Sequence, residues 1–388
     1  MKLKSSLDAC LKRSTDSGDV PGVVALVADA KGVIYEGASG VRSIGGNAPM
    51  TLDTVAWFAS MTKAVTAAAA MQLVEQGKLD LDAPAAKVCP ELGKVKVREG
   101  WDAAGKPQLR APKSPVTLRQ LLAHSAGFAY EIWNADVARE LEMAGKPNVI
   151  SGARATLDRA LVADPGTEWN YGIGIDWAGR MVEETSGLRL GAYFEKNLFA
   201  PLGMRDIAFQ LNGSMRERLS AMHARLPDGS LTAIPFELPA AAELDMGGHG
   251  LMGSLPNYLR FLRAILNGGT LDGNRVLEAK TVAAMGQNQI GEINVGAFHT
   301  VAPTLSNDGE FYPGMPCKWG LSFLINTHKT PEGRSAGSLS WAGLANSYYW
   351  IDPERQVTGV LLTQIMPFFD AKAVSLYREF EKTVYQTL

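Results

Sequence analysis

A serine and a lysine one helical turn apart, Ser60 and Lys63 in the run Phe58-Ala59-Ser60-Met61-Thr62-Lys63, are the residues best placed to do chemistry. Positions i and i+3 share a helix face, so hydroxyl and amine can come within hydrogen-bonding reach. A serine hydroxyl is a weak nucleophile at neutral pH and needs an adjacent base to take its proton as it attacks a carbonyl carbon. Lysine is that base only when uncharged, which requires burial or a neighbouring cation to lower its pKa. On its own, the spacing fits a helix cap followed by a solvated lysine equally well, so the surroundings must decide.

The elements around the pair follow from periodicity and turn chemistry. Trp57 and Phe58 precede it, and good helix formers follow as far as Gln76, where Gly77 reads as the C-terminal cap. Upstream, Leu7, Cys10 and Leu11 at helical spacing, the apolar run 23–28, a turn at 29–32 and a strand-like 33–40 predict helix, strand, turn, strand. From about 60 to 290 the pattern is helical, and the polar stretch 94–115 reads as an irregular insertion outside the core. Strands are expected again at 319–326, 338–341, 347–351 and 357–364, with a last helix over 371–387. This order predicts an α+β fold: an antiparallel sheet built from both termini and flanked by helices, with an inserted, mostly helical lobe. Residues 1–75 and 290–388 are expected to form the sheet domain and 76–289 the helical one, with the active site in the cleft between them.

Composition narrows the partners. A chain of 388 residues buries a sizeable core without staples, and a formal net charge of −2 offers no field for polyanions, which argues against nucleic acid. Cys10, Cys89 and Cys317 are scattered and lack zinc-ligand spacing, so they read as free thiols and no metal site is expected. The charged N-terminus lacks the apolar stretch of a signal peptide, and no window is apolar enough for a membrane span. A cytoplasmic protein without membrane contact is the expectation; oligomeric state is not legible.

The segments 58–63 (FASMTK), 117–128 (TLRQLLAHSAGF), 164–172 (DPGTEWNYG), 247–269 (GGHGLMGSLPNYLRFLRAILNGG) and 339–353 (LSWAGLANSYYWIDP) together resemble the serine β-lactamase-like superfamily, and within it the family VIII carboxylesterases. The likeness covers nearly the whole length. It implies that Ser60 is the acylated nucleophile, Lys63 a base for its proton, and Tyr171 a second proton relay. It also implies an oxyanion hole at the backbone N–H groups of Ser60 and Leu344. A lysine ammonium beside Tyr171 would favour its phenolate and make Tyr171 a base as well. Where β-lactamases carry a Lys-Thr-Gly strand this chain has Trp341, Ala342 and Gly343, and Ile173 stands where their tyrosine motif ends in Asn. Loss of the cation that holds a substrate carboxylate argues against β-lactams or peptides as main substrates.

The remaining suspects are weaker. The segment 123–127 resembles a lipase elbow but lacks its first glycine, so His124 and Ser125 belong to a structural turn. His249, within the glycine run 247–250, is a structural histidine or a group facing substrate. Tyr130, Trp133, Trp169, Trp341, Tyr348 and Tyr349 supply core and pocket walls; Trp341, Ala342, Gly343, Trp169, Tyr130 and His249 are the expected substrate-contact set. The reaction expected is hydrolysis of small carboxylic esters through an acyl-enzyme on Ser60, with no cofactor and with weak turnover of cephalosporin-like rings as a side activity. Three rivals stand beside it: an acyltransferase of secondary metabolism, a β-lactamase or D-aminopeptidase-like hydrolase, and a catalytically silent binding protein.

Overall fold

In the computed structural model, which describes residues 2–388, helix α1 (Lys2–Asp16) leads into strands β1 (Gly22–Asp29) and β2 (Val33–Gly40). Their turn is closed by the Asp29 carboxylate, which accepts from the backbone N–H groups of Lys31 and Gly32, each at 2.7 Å. Helix α2 (Thr62–Glu75), the hairpin β3 (Val97–Trp101) and β4 (Pro107–Arg110), helix α3 (Gly174–Ser186) and helix α4 (Leu255–Leu266) occupy the middle of the chain. Strands β5 (Cys317–Trp319), β6 (Leu324–Asn326), β7 (Leu339–Gly343), β8 (Ser347–Asp352) and β9 (Val357–Leu362) precede the last helix, α5 (Ala371–Thr387).

The main sheet runs β5-β6-β7-β8-β9-β1-β2, with every neighbouring pair antiparallel. An antiparallel sheet with one wet face alternates apolar and polar residues; β1, β8 and β9 do not, because both their faces are covered. Val24, Leu26 and Ala28 join the core containing α2 and α4. Val23, Ala25 and Val27, pointing the other way, join the core built with α1 and α5. Tyr349 and Ile351 against Tyr348 and Trp350 repeat the same division on β8. The sheet from the two termini thus stands between the terminal helices and the middle of the chain, as the α+β reading expects.

Helix α2 is buried from Thr62 to Leu73, which explains its run of alanines: a helix apolar on every side must be enclosed, and small side chains let neighbours approach. It ends as expected at Gly77, whose φ of +66° allows the Lys78 N–H to reach the Leu73 carbonyl at 2.9 Å and its own N–H to reach that of Val74 at 2.9 Å. No helix among the described residues is long and apolar enough to cross a membrane.

Two expectations need correction. The stretch 94–115 is not wholly irregular: it contains the β3–β4 hairpin, and Val97 and Arg98 are buried there. Arg98 can be buried because Glu140 pairs with it, a partner 42 residues away in sequence. Likewise 319–326 is two strands rather than one. The chain reverses between Trp319 and Leu324 through Ser322, which holds a left-handed φ of +75°. All three cysteines are free and buried, and burial raises each thiol.

Candidate active site

Ser60 lies on the tight turn Ala59–Met61 that feeds α2, and Lys63 is in the first turn of the helix itself. Ala59 adopts φ +47°, a left-handed backbone that a residue with a Cβ holds only when its surroundings fix it. They do so here. The Phe58 N–H donates to Leu251 O at 3.0 Å, the Trp57 N–H to Gln364 Oε1 at 3.1 Å, and the Leu251 N–H to Thr62 Oγ1 at 3.1 Å. On the other side, β7 ends against the turn so closely that a Cβ on Gly343 would stand 2.5 Å from Phe58 O. That approach places Leu344 beside Ser60 in the wall of the same cleft.

Lys63 is wholly buried, and its amine has three neighbours: Ser60 Oγ at 3.0 Å, the Tyr130 hydroxyl at 3.1 Å and the Gly248 carbonyl oxygen at 2.7 Å. No carboxylate touches it. Burial therefore dominates and pushes the amine down to about 7, against the opposing pull of Asp176. Gly248 is a glycine for a steric reason: a Cβ would come within 2.6 Å of Asp176 Oδ2. The Gly248 N–H donates to Asp176 Oδ1 at 2.7 Å while its carbonyl accepts from Lys63.

Tyr171 is also buried, with its ring 4.7 Å from the Lys63 amine, and its phenol is hydrogen-bonded to Ser60. Trp341 Nε1 donates to the Tyr171 oxygen at 3.0 Å. An indole N–H cannot accept, so the Tyr171 proton is directed elsewhere. The expected phenolate is corrected by this environment. Burial raises the Tyr171 pKa well above 10, the hydrogen bonds to Ser60 and Trp341 offset only part of that, and the phenol stays protonated.

Around this geometry the similarity to known proteins is extensive. The family model described as Beta-lactamase matches residues 7–381. The chain belongs to the β-lactamase family. It is 29% identical to the monacolin J acid methylbutanoyltransferase of Aspergillus terreus, over 98% of this chain and 95% of the relative. It is 30% identical to the lovastatin esterase of Penicillium rubens, over 98% of each. A solved mutant of simvastatin synthase (LovD) from Aspergillus terreus superposes with a TM-score of 0.83 at 30% identity, covering 100% of this chain and 95% of that one. The β-lactamase-like fold expected from the sequence is thereby shown.

Within this β-lactamase-family site the expected substrate-contact residues separate into groups. Tyr130 and His249 border the space beside Ser60, together with Trp57, Trp133, Ile150 and Leu344. Trp341 and Trp169 do not border it. Trp341 holds the Tyr171 hydroxyl, and Trp169 stacks on the Tyr171 ring at 6.0 Å between centroids. Ala342 points to the opposite face of β7, into the core with Tyr348 and Trp350, so its side chain makes no wall. Gly343 supplies clearance rather than contact.

His249 is held in place: its Nε2 pairs with the Val149 carbonyl at 3.1 Å, its own carbonyl accepts from Trp57 Nε1 at 2.6 Å, and burial lowers its pKa. It is both structural and part of the wall, which joins the two readings left open. His124 packs behind Tyr171, with ring centroids 4.7 Å apart, and its Nδ1 accepts from the Gly172 N–H at 3.4 Å. Burial and the Lys63 charge push it well below 6.5.

Sequence reasoning missed Asp176 and the contact of Tyr130 with Lys63. Asp176 lies five residues after Tyr171, between Ile175 and Trp177 in the first turn of α3. A carboxylate flanked by apolar residues at a helix start was a legible signal, though it also suits the helix dipole. Nothing in the sequence marks Tyr130 as a neighbour of a lysine 67 residues earlier.

Proposed function

We propose that this protein is a serine esterase that forms an acyl-enzyme on Ser60, with Lys63 as its base and Tyr171 as its acid. The single observation that carries the reading is a buried amine, lowered to about 7, standing 3.0 Å from a serine hydroxyl. In acylation the Ser60 O–H bond breaks and its proton joins the neutral Lys63 amine. The Oγ electron pair bonds to the ester carbonyl carbon, and the carbonyl π pair moves onto its oxygen. That oxyanion is assigned to the Ser60 and Leu344 N–H groups. Collapse expels the alkoxide, which takes a proton from the Tyr171 phenol; the Lys63 ammonium, 4.7 Å from the Tyr171 ring, then returns its proton directly to the phenolate, since the esterified Oγ has none to pass. Attack by water on the acyl-enzyme reverses the same proton path.

The acyl group could instead be passed to an alcohol, and the relatives named as acyltransferases favour that second reading. The two share every step up to the acyl-enzyme and differ in what attacks it. Intact-mass analysis after mixing with a fluorophosphonate should show one adduct, lost in Ser60→Ala. An unmodified wild-type chain rejects the proposal. With an activated short-chain aryl ester, the ratio of free acid to new ester in the presence of added alcohol then separates esterase from acyltransferase.

A further inference from the structure

The three neighbours of the Lys63 amine differ in what they can exchange with it. The Gly248 carbonyl, at 2.7 Å, can only accept. Tyr130 presents its phenol oxygen at 3.1 Å, and 3.4 Å beyond it stands Asp176 Oδ2. The other oxygen of that carboxylate is already engaged by the Gly248 N–H at 2.7 Å. A carboxylate only accepts, so the Tyr130 proton turns toward Oδ2 and its oxygen faces Lys63 as an acceptor. Ser60 Oγ, at 3.0 Å, can act in either sense.

A neutral amine has two N–H donors and one lone pair. With the donors used by Gly248 and Tyr130, the lone pair is left for the Ser60 proton. We infer that Tyr130 and Asp176 are positioning residues of the base, which together with Gly248 aim the Lys63 lone pair at the Ser60 hydroxyl. This rests on the acyl-enzyme reading above and adds to it why the amine is oriented rather than merely near. The ammonium formed on attack meets an acceptor for each of its three protons in the same places, so proton transfer requires no rearrangement. The titratable groups around Lys63 are Asp176 from α3, the phenols of Tyr130 and Tyr171, and the imidazoles of His124 and His249. Both imidazoles are held below their ordinary pKa, first by burial and in part by Lys63.

The orientation can be reversed by one atom. In Asp176→Asn the Gly248 N–H retains the amide oxygen, so the amide NH2 faces Tyr130. The Tyr130 proton must then turn to Lys63, where it competes with Ser60 for the lone pair. The test measures kcat, KM and the acid limb of kcat/KM on an activated aryl ester for Asp176→Asn, Tyr130→Phe and the double variant, with thermal unfolding and fluorophosphonate labelling as controls. Asp176→Asn should lose kcat by on the order of 100-fold with KM little changed, a size typical of a misdirected catalytic group. Removing the phenol should then restore part of the loss, making the double variant faster than Asp176→Asn alone.

Side chains that only support packing predict the opposite order, so a double variant no faster than Asp176→Asn overturns the inference. Should Asp176→Asn not fold, Tyr130→Phe decides. A drop of about 10-fold in kcat with the acid limb moved to lower pH, as loss of an acceptor for the ammonium requires, supports the positioning role; wild-type kcat or an unmoved limb overturns it. Loss of wild-type labelling at Ser60 would instead reject the acyl-enzyme reading itself, so the two failures are distinguishable.

Discussion

Two of the buried cations in this protein, Lys63 and Arg334, are treated in opposite ways. Arg334 makes two contacts of 3.0 Å with the carboxylate of Glu381, Nε to Oε1 and Nη2 to Oε2, and also meets the hydroxyls of Tyr312 and Tyr377. Burial opposes its charge, but Glu381, Tyr312 and Tyr377 outweigh burial and hold the guanidinium well above its usual pKa. Lys63 is equally enclosed, yet its carboxylate, Asp176, is one phenol away, and the amine falls to about 7. A carboxylate in contact makes a fixed ion pair. A carboxylate held off by one polar group leaves a base that titrates near neutrality.

The contrast can be broken from either side. Lys63→Met should lower kcat/KM by roughly 10³-fold, the scale of a lost general base. The same variant should unfold at the same or a higher temperature, because an apolar side chain of similar length replaces a buried amine. Glu381→Gln should do the reverse. It leaves Arg334 charged and unpaired, costing about 3–5 kcal/mol in denaturant unfolding, while kcat per folded molecule stays unchanged.

The pH profile sharpens the comparison further. In the proposed mechanism Lys63 works as the neutral amine, and burial lowers its pKa to about 7. Thus kcat/KM should rise as pH increases through about 7 and then level off. No alkaline fall from Tyr171 is expected up to pH 10, because burial keeps that phenol protonated. A limb near 10 would mean that Lys63 works as an ordinary exposed lysine. The smallest effect belongs to Trp341→Phe, which removes the N–H donated to the Tyr171 oxygen. One neutral hydrogen bond of about 1 kcal/mol corresponds to a several-fold loss in kcat. No change would make Trp341 a packing residue only.

Much of the fold was legible because its signals are local. Apolar runs bounded by turn residues at 23–40 and 339–362, and the alanine-rich run after Lys63, report directly on what is covered. The β3–β4 hairpin was not, since its buried Arg98 makes sense only with Glu140 beside it. The same limit separates the site residues. Ser60 and Lys63 are one helical turn apart, so their meeting follows from helix geometry. Trp341 was expected to face substrate; its bond to Tyr171, a contact across 170 residues, had no local signal.

By itself, the sequence determined the Ser60–Lys63 pair, the segments that resemble a known superfamily and the two ends that build the sheet. Each of these depends on residue type and short spacing. The tertiary structure alone decided that Lys63 has no carboxylate in contact, that Tyr171 remains a protonated phenol, and that Tyr130 and Asp176 stand behind the base. Those outcomes depend on desolvation and on which groups from distant segments occupy a few ångströms of space, and neither quantity is written in the order of residues along the chain.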